Sequence, residues 1–223
     1  MTMEFNKSEL NKVIRGAKKA SYNKEEIYSI LDTTEICSIA FNLKGKALVQ
    51  PINYGRNGDS LYIHGSTKNR MTNALIESGE VSLSVMILDS MKLTRSAFHH
   101  SVNYRSVVIF GKVRELTCDK EKLIGLKSII NHFVPNRWEF CRKPNEKEMK
   151  ATKVIEIKIE TASAKIANTP FKDNKSDYNL GFWAGEIPVK TIYEYPIPDK
   201  ELNQKIEIPS HVIDFYNMKK DGI

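Results

Sequence analysis

The spacing of apolar residues changes near residue 36, and the change predicts two kinds of element. Before it, Ile27, Ile30 and Leu31 recur at the spacing of one helical face. Asn23 and Glu26 precede them with the spacing of a capping box, so we expect a short helix to begin there. After it, short runs of β-forming residues predict strands.

Two hairpins are expected before residue 65. Their strands are predicted at residues 36–41, 47–54 and 61–64. Gly45 turns the chain after the first strand, and the pair Asn57-Gly58 is a strong hairpin signal. Pro51 interrupts the second strand. Because proline cannot donate a ladder hydrogen bond, that strand should lie at an edge or leave backbone exposed.

The following residues predict three more helices and three more strands. The helices are expected at residues 66–78, from Asp119 to Pro135 and around residues 144–148, and the strands at residues 81–88, 104–116 and 154–159. The helix that begins at Asp119 should bury the apolar face formed by Leu123, Leu126, Ile130 and Phe133. This order of elements predicts an α+β fold, mainly β, on an antiparallel sheet that closes into a barrel.

The chain length fits one large domain with appendages. The sequence has 223 residues, of which 41% are hydrophobic and 27% charged, as in ordinary globular proteins. We expect an N-terminal arm at residues 1–22, a barrel domain at residues 23–165, and a C-terminal extension at residues 166–223. The extension should pack on the barrel or on a dimer partner.

Charge and cysteine content narrow the class of protein. The net charge of +7 favours anionic partners, which include nucleic acid, anionic lipid and phosphorylated cofactors. Basic residues alternate with acidic ones, however, and no strand interleaves basic with aromatic residues, so we expect no nucleic-acid partner. Three widely spaced cysteines predict reduced thiols in a cytoplasmic protein. The sequence begins without a signal-like apolar stretch and contains no run of eighteen apolar residues, so we expect no membrane partner.

Residues 61–70, LYIHGSTKNR, predict an anion site. A strand ends, Gly65 turns the chain, and a helix follows beneath hydroxyl and basic side chains. Free backbone amides at a helix start attract an anion, Ser66 and Thr67 add donors, and Arg70 can fork onto phosphate oxygens. The alternative is an ordinary helix cap beside surface charges. Neither GxxxxGK[ST] nor GxGxxG occurs, so a Walker loop and a Rossmann site are not supported.

Residues 96–111, SAFHHSVNYRSVVIFG, form the second candidate segment. It starts with hydrogen-bonding side chains and ends as an apolar strand, which is typical of a strand whose first half lines a site. Asn103 and Arg105 should face one side, and Tyr104 and Ser106 the other. The alternative is a polar strand start satisfied by neighbouring loops. Adjacent histidines in a strand point apart, so we expect no metal site.

Trp183 lies between Gly181 and Gly185 in the polar C-terminal extension. An exposed polar segment seldom carries tryptophan, so we expect this side chain to dock on its own subunit or on a partner. Contact with a planar ligand is the alternative.

These segments together resemble one family. The motifs, in order, are Ala20-Ser21-Tyr22, Val49-Gln50-Pro51-Ile52-Asn53-Tyr54, Leu61-Tyr62-Ile63-His64-Gly65-Ser66 with Asn69-Arg70-Met71, Arg95-Ser96-Ala97-Phe98-His99-His100-Ser101, Asn103-Tyr104-Arg105-Ser106-Val107, Val134-Pro135-Asn136-Arg137-Trp138, Ala162-Ser163-Ala164-Lys165 and Trp183-Ala184-Gly185. The ordered set, over roughly residues 15–200, resembles the pyridoxamine 5′-phosphate oxidase-like FMN-binding split barrels, in the branch related to nitroimidazole-resistance proteins.

The resemblance implies a six-stranded antiparallel split barrel with peripheral helices, and a homodimer with two FMN sites at the subunit interface. FAD is the less favoured flavin. Gln50, Pro51, Ile52 and Asn53 would follow the isoalloxazine edge. The phosphate end would be held by His64, Gly65, Ser66, Asn69, Arg70 and Met71. The pocket would be completed by Ser101, Asn103, Tyr104, Arg105 and Ser106, and approached by Trp183.

The implied activity is a flavin-dependent oxidoreductase that acts on a small molecule, with a reduced nicotinamide such as NAD(P)H as a candidate donor. The hydride chemistry belongs to the cofactor, so no catalytic base is required. His99 and His100 are candidates for shuttling a proton because histidine titrates near neutrality. In the pyridoxine-oxidising members, basic residues grip the phosphate of the substrate; they cannot be placed in this sequence, so vitamin B6 oxidation is not favoured. A non-catalytic flavin-binding module, such as a carrier, redox sensor or sink, is the alternative.

Overall fold

The computed structural model describes residues 3–170 and 172–222, which form one antiparallel sheet with helices around it. The helices are α1 (Lys24–Leu31), α2 (Arg70–Ser78), α3 (Asp119–Phe133), α4 (Glu146–Ala151) and α5 (Ser210–Lys219). The strands are β1 (Ala20–Ser21), β2 (Ile36–Leu43), β3 (Lys46–Asn53), β4 (Gly55–Asn57), β5 (Ser60–Ser66), β6 (Glu80–Leu93), β7 (Ser101–Glu115), β8 (Thr152–Ala167) and β9 (Gly185–Pro188).

The sheet is rolled into a split barrel. Its strands are ordered β3-β2-β6-β7-β8-β5-β4, with β1 added to β8 and β9 added to β6. The two edge strands, β3 and β4, are separated in sequence by Tyr54 alone, so the chain joins the two edges of the sheet at one point. Within the described residues β3 and β4 are not paired, so the sheet stays open and the expectation that it closes is wrong. The predicted antiparallel split barrel is confirmed. Six strands have seven or more residues, as predicted, and the short strands β1, β4 and β9 raise the total to nine.

The core fills the barrel with side chains from alternate strand positions. Leu61 and Ile63 on β5 face Ile157 and Ile155 on β8, and all four are almost fully buried. Helix α2 adds Met71 and Leu75 to the same cluster. A smaller cluster around Tyr62 and Val154 lies under α3, on the outer side of β5.

Two of the predicted helices differ from the structure. Helix α2 begins at Arg70 and not at residue 66, because the Asn69 side chain caps it and residues up to Ser66 continue β5. Helix α3 buries Lys122, Gly125 and Ile129, a face displaced from the predicted one. The small Gly125 lets the helix approach the sheet closely, since a Cβ there would lie 2.7 Å from Val154.

The N-terminal residues are held against the barrel. Phe5 packs into the main core, and Asn11 is buried, where its amide donates to the Ala162 carbonyl at 3.0 Å. β1 pairs with β8 at Ala164 and Lys165. Within the described residues, no helix is long and apolar enough to span a bilayer.

Candidate functional site

The outer face of β3, β2, β6 and β7 carries Pro51 and Asn53, two of the four predicted isoalloxazine-edge residues, whereas Gln50 and Ile52 lie on the opposite face of β3. Pro51 lies opposite Ser38, Ser38 opposite Ser84, and Ser84 opposite Val108. Residues paired across neighbouring strands share a face, so these four side chains form one row across the sheet. The two serines are small, which leaves a shallow floor beside Pro51 where a planar ring can lie against the sheet.

The same face continues two residues further along each strand. Asn53 lies opposite Ile36, and Ser106 lies opposite Met86. Ile36 is 59% exposed and Met86 66% exposed, although both are large and apolar. Ser106, predicted to complete the pocket, therefore shares an exposed face with Pro51 and Asn53.

Edge strand β3 leaves this face accessible, as the proline predicted. Gln50 and Pro51 are exposed, whereas Ile52 and Asn53 are half-buried, with Ile52 packing partly on the core. A cleft of about 410 Å³ opens at the far end of the face, where Ala40, Ser82 and Phe110 line it.

The predicted anion turn forms at the start of α2, but most of its backbone amides are occupied. The Thr67 amide donates to the Ala151 carbonyl at 3.1 Å, and the Asn69 amide donates to the Ser66 carbonyl at 2.9 Å. The Asn69 side chain accepts from the amides of Met71 and Thr72. The expectation of several free amides is therefore wrong, because Asn69 and the end of β5 satisfy them internally.

Side chains provide most of the free donors of this turn. Ser66, Lys68 and Arg70 are all exposed. Gly65 allows the turn to fold tightly, since a Cβ there would lie 3.1 Å from Thr72 and 3.3 Å from the Asn69 amide nitrogen. The Met71 side chain points into the core. An anion bound here would meet hydroxyl, ammonium and guanidinium groups.

His64 lies on β5 just before this turn, with one ring nitrogen unsatisfied. It faces the outer side of the barrel opposite Val154. Its Nδ1 is buried with no hydrogen-bond partner among the described residues. Burial lowers the pKa of His64, so the ring is neutral at neutral pH. A neutral, unpartnered imidazole can accept a hydrogen bond or ligate a metal centre.

The stretch from Ser101 to Ser106 divides between the two faces of β7. Tyr104 and Ser106 are half-buried on the outer face, and Ser101 is exposed. Asn103 and Arg105 point the other way. The Arg105 guanidinium donates two hydrogen bonds to the Asp89 carboxylate, from Nη2 at 2.8 Å and from Nε at 3.1 Å.

Asn103 bonds to the C-terminal extension through both ends of its side-chain amide. Its Nδ2 donates to Glu186 at 2.9 Å, and its Oδ1 accepts from the Thr169 amide at 3.1 Å. A cavity of about 420 Å³ is lined by Asp89, Asn103, Arg105 and Glu186. Asn103 and Arg105 therefore have protein partners already.

The adjacent histidines lie in the loop between β6 and β7. Its single turn of 3₁₀ helix spans Ala97–His99. His99 is half-buried against Phe98, and the exposed His100 places Nδ1 3.1 Å from the Ser96 carbonyl. Phe98 is exposed over most of its surface. Within the described residues, no three His, Cys, Asp or Glu side chains form a metal-binding cluster.

The candidate segments lie at opposite ends of β8. Ser66, at the anion turn, pairs with Thr152 at the start of β8, and Ser106 pairs with Lys165 near its end. At about 3.3 Å per residue these positions are far apart along the strand. One copy of the chain therefore does not gather the anion turn and the Ser106 region into one pocket.

The sequence analysis missed the small serines of the floor and the acid at Glu186. The alternation of serine with apolar residues, as in Ser82-Leu83-Ser84-Val85, indicates an exposed face, but only the strand order places it beside Pro51. A further cavity, of about 480 Å³, lies between α3 and β4 and includes Asp32, Arg56 and His132, none of them predicted site residues.

Comparison with known proteins agrees with this architecture. Residues 23–166 match the model of a family described as pyridoxamine 5′-phosphate oxidase. The chain belongs to this family. Among curated proteins, none matches the sequence.

Two solved structures are similar over nearly the whole chain. The flavocytochrome Anf3 from Azotobacter vinelandii is 30% identical, with 93% of this chain and 96% of that chain covered and a TM-score of 0.86. A FAD and heme binding protein from Mycobacterium smegmatis is 31% identical, with 88% and 96% covered and a TM-score of 0.82. A putative 5-nitroimidazole antibiotic resistance protein from Bacteroides thetaiotaomicron, 22% identical over 66% of this chain and 86% of that chain, shares the fold with a TM-score of 0.57.

Proposed function

We propose that this protein binds a flavin and uses it as a redox cofactor for a small-molecule substrate. The observation that carries the proposal is the outer sheet face, where Pro51, Asn53 and Ser106 border a floor of small serines. Family membership and the flavin-binding relatives support it. The flavin supplies hydride chemistry when bound. The residues of this chain bind and orient the ring and exclude water from it.

We further propose that the working unit is a homodimer with a flavin between the two copies. Ile36, Val49 and Met86 are each more than half exposed on the same outer face, and exposed apolar side chains concentrated on one face mark an interaction surface. The separation of the anion turn from Ser106 along β8 supports the same assembly. A second copy would supply the half of the site that the first copy places elsewhere.

The phosphate of the flavin is proposed to bind the side chains of Ser66 and Arg70. A guanidinium can donate two parallel hydrogen bonds to phosphate oxygens, and Arg70 is exposed at the start of α2. FMN and FAD both carry a phosphate on the ribityl chain, so this contact serves either flavin. FMN needs no further pocket for an adenylate. Two similar structures are named as a flavocytochrome and as a FAD and heme binding protein, and these names favour a site for FAD, or for a second cofactor, in this chain.

The test is an absorbance spectrum of the purified protein followed by anaerobic addition of NAD(P)H. We expect flavin absorption, its bleaching by the donor, and turnover when an electron acceptor is added. Stoichiometric bleaching without turnover would favour the non-catalytic module. A protein that neither retains nor rebinds flavin would refute the proposal. A proton-shuttling role for His99 or His100 would appear as a lower rate in the alanine variants at unchanged flavin content.

A second candidate function, electron transfer between flavin and haem, is favoured by His64. Two structures about 30% identical to this chain are named for haem as well as flavin. The unpartnered Nδ1 and lowered pKa of His64 fit the neutral imidazole that ligates iron. Addition of hemin to the purified protein should then give a sharp Soret band that the variant His64→Ala lacks. An identical band in that variant would exclude His64 as the ligand.

A further inference from the structure

The cleft of about 410 Å³ on the outer face lies beyond the floor of small serines, and we call it the outer cleft. Ala40, Ser82 and Phe110 form its base, and Leu10 and Phe41 add apolar side chains to its walls. Small-molecule sites are clefts of this size with mainly apolar and aromatic linings. Two aromatic rings around a base of small residues suit a flat apolar molecule.

The strand register places the outer cleft next to the serine floor. Ala40 pairs with Ser82, just as Ser38 pairs with Ser84. On each strand the two positions are two residues apart, so they share a face and lie about 7 Å from each other. A molecule in the outer cleft would therefore lie on the same face as the proposed flavin ring and beside it.

The N-terminal arm supplies one wall of the outer cleft. The buried Asn11 side chain donates to the Ala162 carbonyl at 3.0 Å, which fixes the arm to β8, the neighbour of β7. Leu10 is held at the cleft by this contact, although 66% of it is exposed. Its exposed apolar surface would be removed from water by an apolar ligand, which favours binding of such a ligand.

The exposed tryptophan of the C-terminal extension lies at the other end of β6. Gly185 pairs with Leu93, and the Trp183 ring packs against the Gly185 backbone while 68% of the residue is exposed. Ser82 is far from Leu93 along the same strand, and Trp183 does not line the outer cleft. The rings that a ligand in the cleft would meet within one copy are those of Phe41 and Phe110.

The charged side chains at the outer cleft are acidic. Glu80 and Glu160 line it, and among the described residues that line it none is basic. Lys112 donates a hydrogen bond to Glu80 and offsets one of the two negative charges. The cleft therefore keeps an excess of negative charge, which repels anions and favours uncharged or cationic molecules.

We propose that the outer cleft binds an apolar ring of the substrate beside the flavin, and that it selects uncharged or cationic molecules against phosphorylated ones. This inference rests on the proposed flavin-dependent function and names the substrate class of that site. Contact with Leu10 and Phe110 supplies affinity, and Glu160 supplies the discrimination by charge. Pyridoxamine 5′-phosphate, from which the matched family takes its description, carries a phosphate and is disfavoured at this cleft.

The test compares two probes that share a ring system and differ in charge. 2-Naphthol is uncharged at neutral pH, whereas naphthalene-2-sulfonate is an anion. Binding of each probe to the FMN-saturated protein is measured by equilibrium dialysis, and the flavin absorption spectrum is recorded. We expect saturable binding of 2-naphthol, a perturbed flavin spectrum, and weaker binding of the sulfonate. An unchanged flavin spectrum at saturation would overturn the position beside the flavin, and equal affinities would overturn the charge selection.

Three variants locate the binding in the outer cleft. Ser82→Phe fills its base and should abolish 2-naphthol binding while FMN stays bound. Leu10→Ala shortens an exposed side chain, so folding is preserved, and 2-naphthol affinity should fall about fourfold, the value of one methylene group returned to water. Glu160→Gln should raise the affinity for naphthalene-2-sulfonate by up to about fivefold, as expected for one exposed charge.

Matched controls separate these effects from general damage. Ile14→Ala shortens another exposed side chain of the same arm that does not line the cleft, and it should bind 2-naphthol like the unmodified protein. Glu207→Gln removes an exposed acid of the C-terminal extension and should leave sulfonate binding unchanged. Equal 2-naphthol affinity in Leu10→Ala and Ile14→Ala would overturn the cleft as the binding site. Equal sulfonate affinity in Glu160→Gln and Glu207→Gln would overturn the role of Glu160.

The outcomes distinguish this inference from the proposed function. FMN binding without saturable binding of 2-naphthol would overturn the substrate assignment and leave the flavin function standing. If FMN does not bind, the proposed function fails, and the cleft is decided on the flavin-free protein. There, 2-naphthol binding that Ser82→Phe abolishes would support a ring-binding site, and binding that persists would overturn it. Absence of 2-naphthol binding, with a change from two chains to one in Ser82→Phe, would assign the cleft to the subunit interface and overturn the proposal.

Discussion

Replacing Arg70 by alanine tests the proposed phosphate contact. The guanidinium is exposed at the first residue of α2, beside the exposed Ser66 hydroxyl, and the turn amides of Thr67 and Asn69 already have acceptors. The side chain therefore carries most of the expected phosphate contact. A hydrogen bond to a charged group contributes about 1.5–3 kcal/mol, and exposure to solvent and salt favours the lower value. At about 1.4 kcal/mol per tenfold change, FMN affinity should fall about tenfold.

The assay is a fluorescence titration with FMN and, separately, with riboflavin. Riboflavin lacks the phosphate, so its affinity for the Arg70→Ala variant should equal that for the unmodified protein. The FMN difference should also shrink as salt is added, because an exposed ion pair is screened. Lys68→Ala is the matched control, a nearby exposed cation outside the proposed contact, and its loss should be smaller. Equal losses for FMN and riboflavin in Arg70→Ala would refute the assignment.

Four further predictions concern the outer face and the stability of the fold. Ser106→Trp should exclude flavin from the outer face, and unchanged flavin content would place the ring elsewhere. Gly55→Ala would place a Cβ 2.4 Å from the backbone of Ser128 and Ile129, so stability should fall by about 1–3 kcal/mol in denaturant unfolding, while Gly181→Ala should leave it unchanged. Asn145→Ala removes the capping box of α4 and should cost about 1 kcal/mol; an unaltered unfolding midpoint would contradict this. Because burial lowers the pKa of His64, the unfolded chain takes up a proton that the folded chain does not as pH falls below about 6.5, and stability is lost. The unfolding free energy of the His64→Gln variant should therefore fall less steeply below that pH. The same pH dependence in the variant and the unmodified protein would contradict the lowered pKa of His64.

Local sequence signals predicted the elements whose contacts are themselves local. Asn23 caps α1 through the Glu26 amide, and Asn145 and Glu148 form a capping box at α4, as their spacing indicated. Pro51 lies on the edge strand β3, as expected, because proline has no backbone N–H to donate and an inner strand would leave a carbonyl of its neighbour unpaired. The family resemblance was confirmed by the matched model, and the split barrel by the strand order.

Features that depend on distant contacts were not predictable from the sequence. The polar and basic segment before residue 23 packs Phe5 into the core and ties Asn11 to β8, a contact between residues about 150 positions apart. Helix α5 was missed in a segment with little periodic pattern; tertiary contacts hold it, among them Lys219 with the Thr33 carbonyl. The polar side chain of Asn103 indicated a hydrogen-bonding role, but the sequence does not identify Thr169 and Glu186 as its partners.

The most direct test of the central claim is the mass and flavin content of the purified protein after addition of FMN. Light scattering during size-exclusion chromatography gives the mass, and absorbance after acid release gives the flavin. The account predicts a particle of two chains that carries one flavin per chain. A single-chain particle that remains colourless in excess FMN would contradict it.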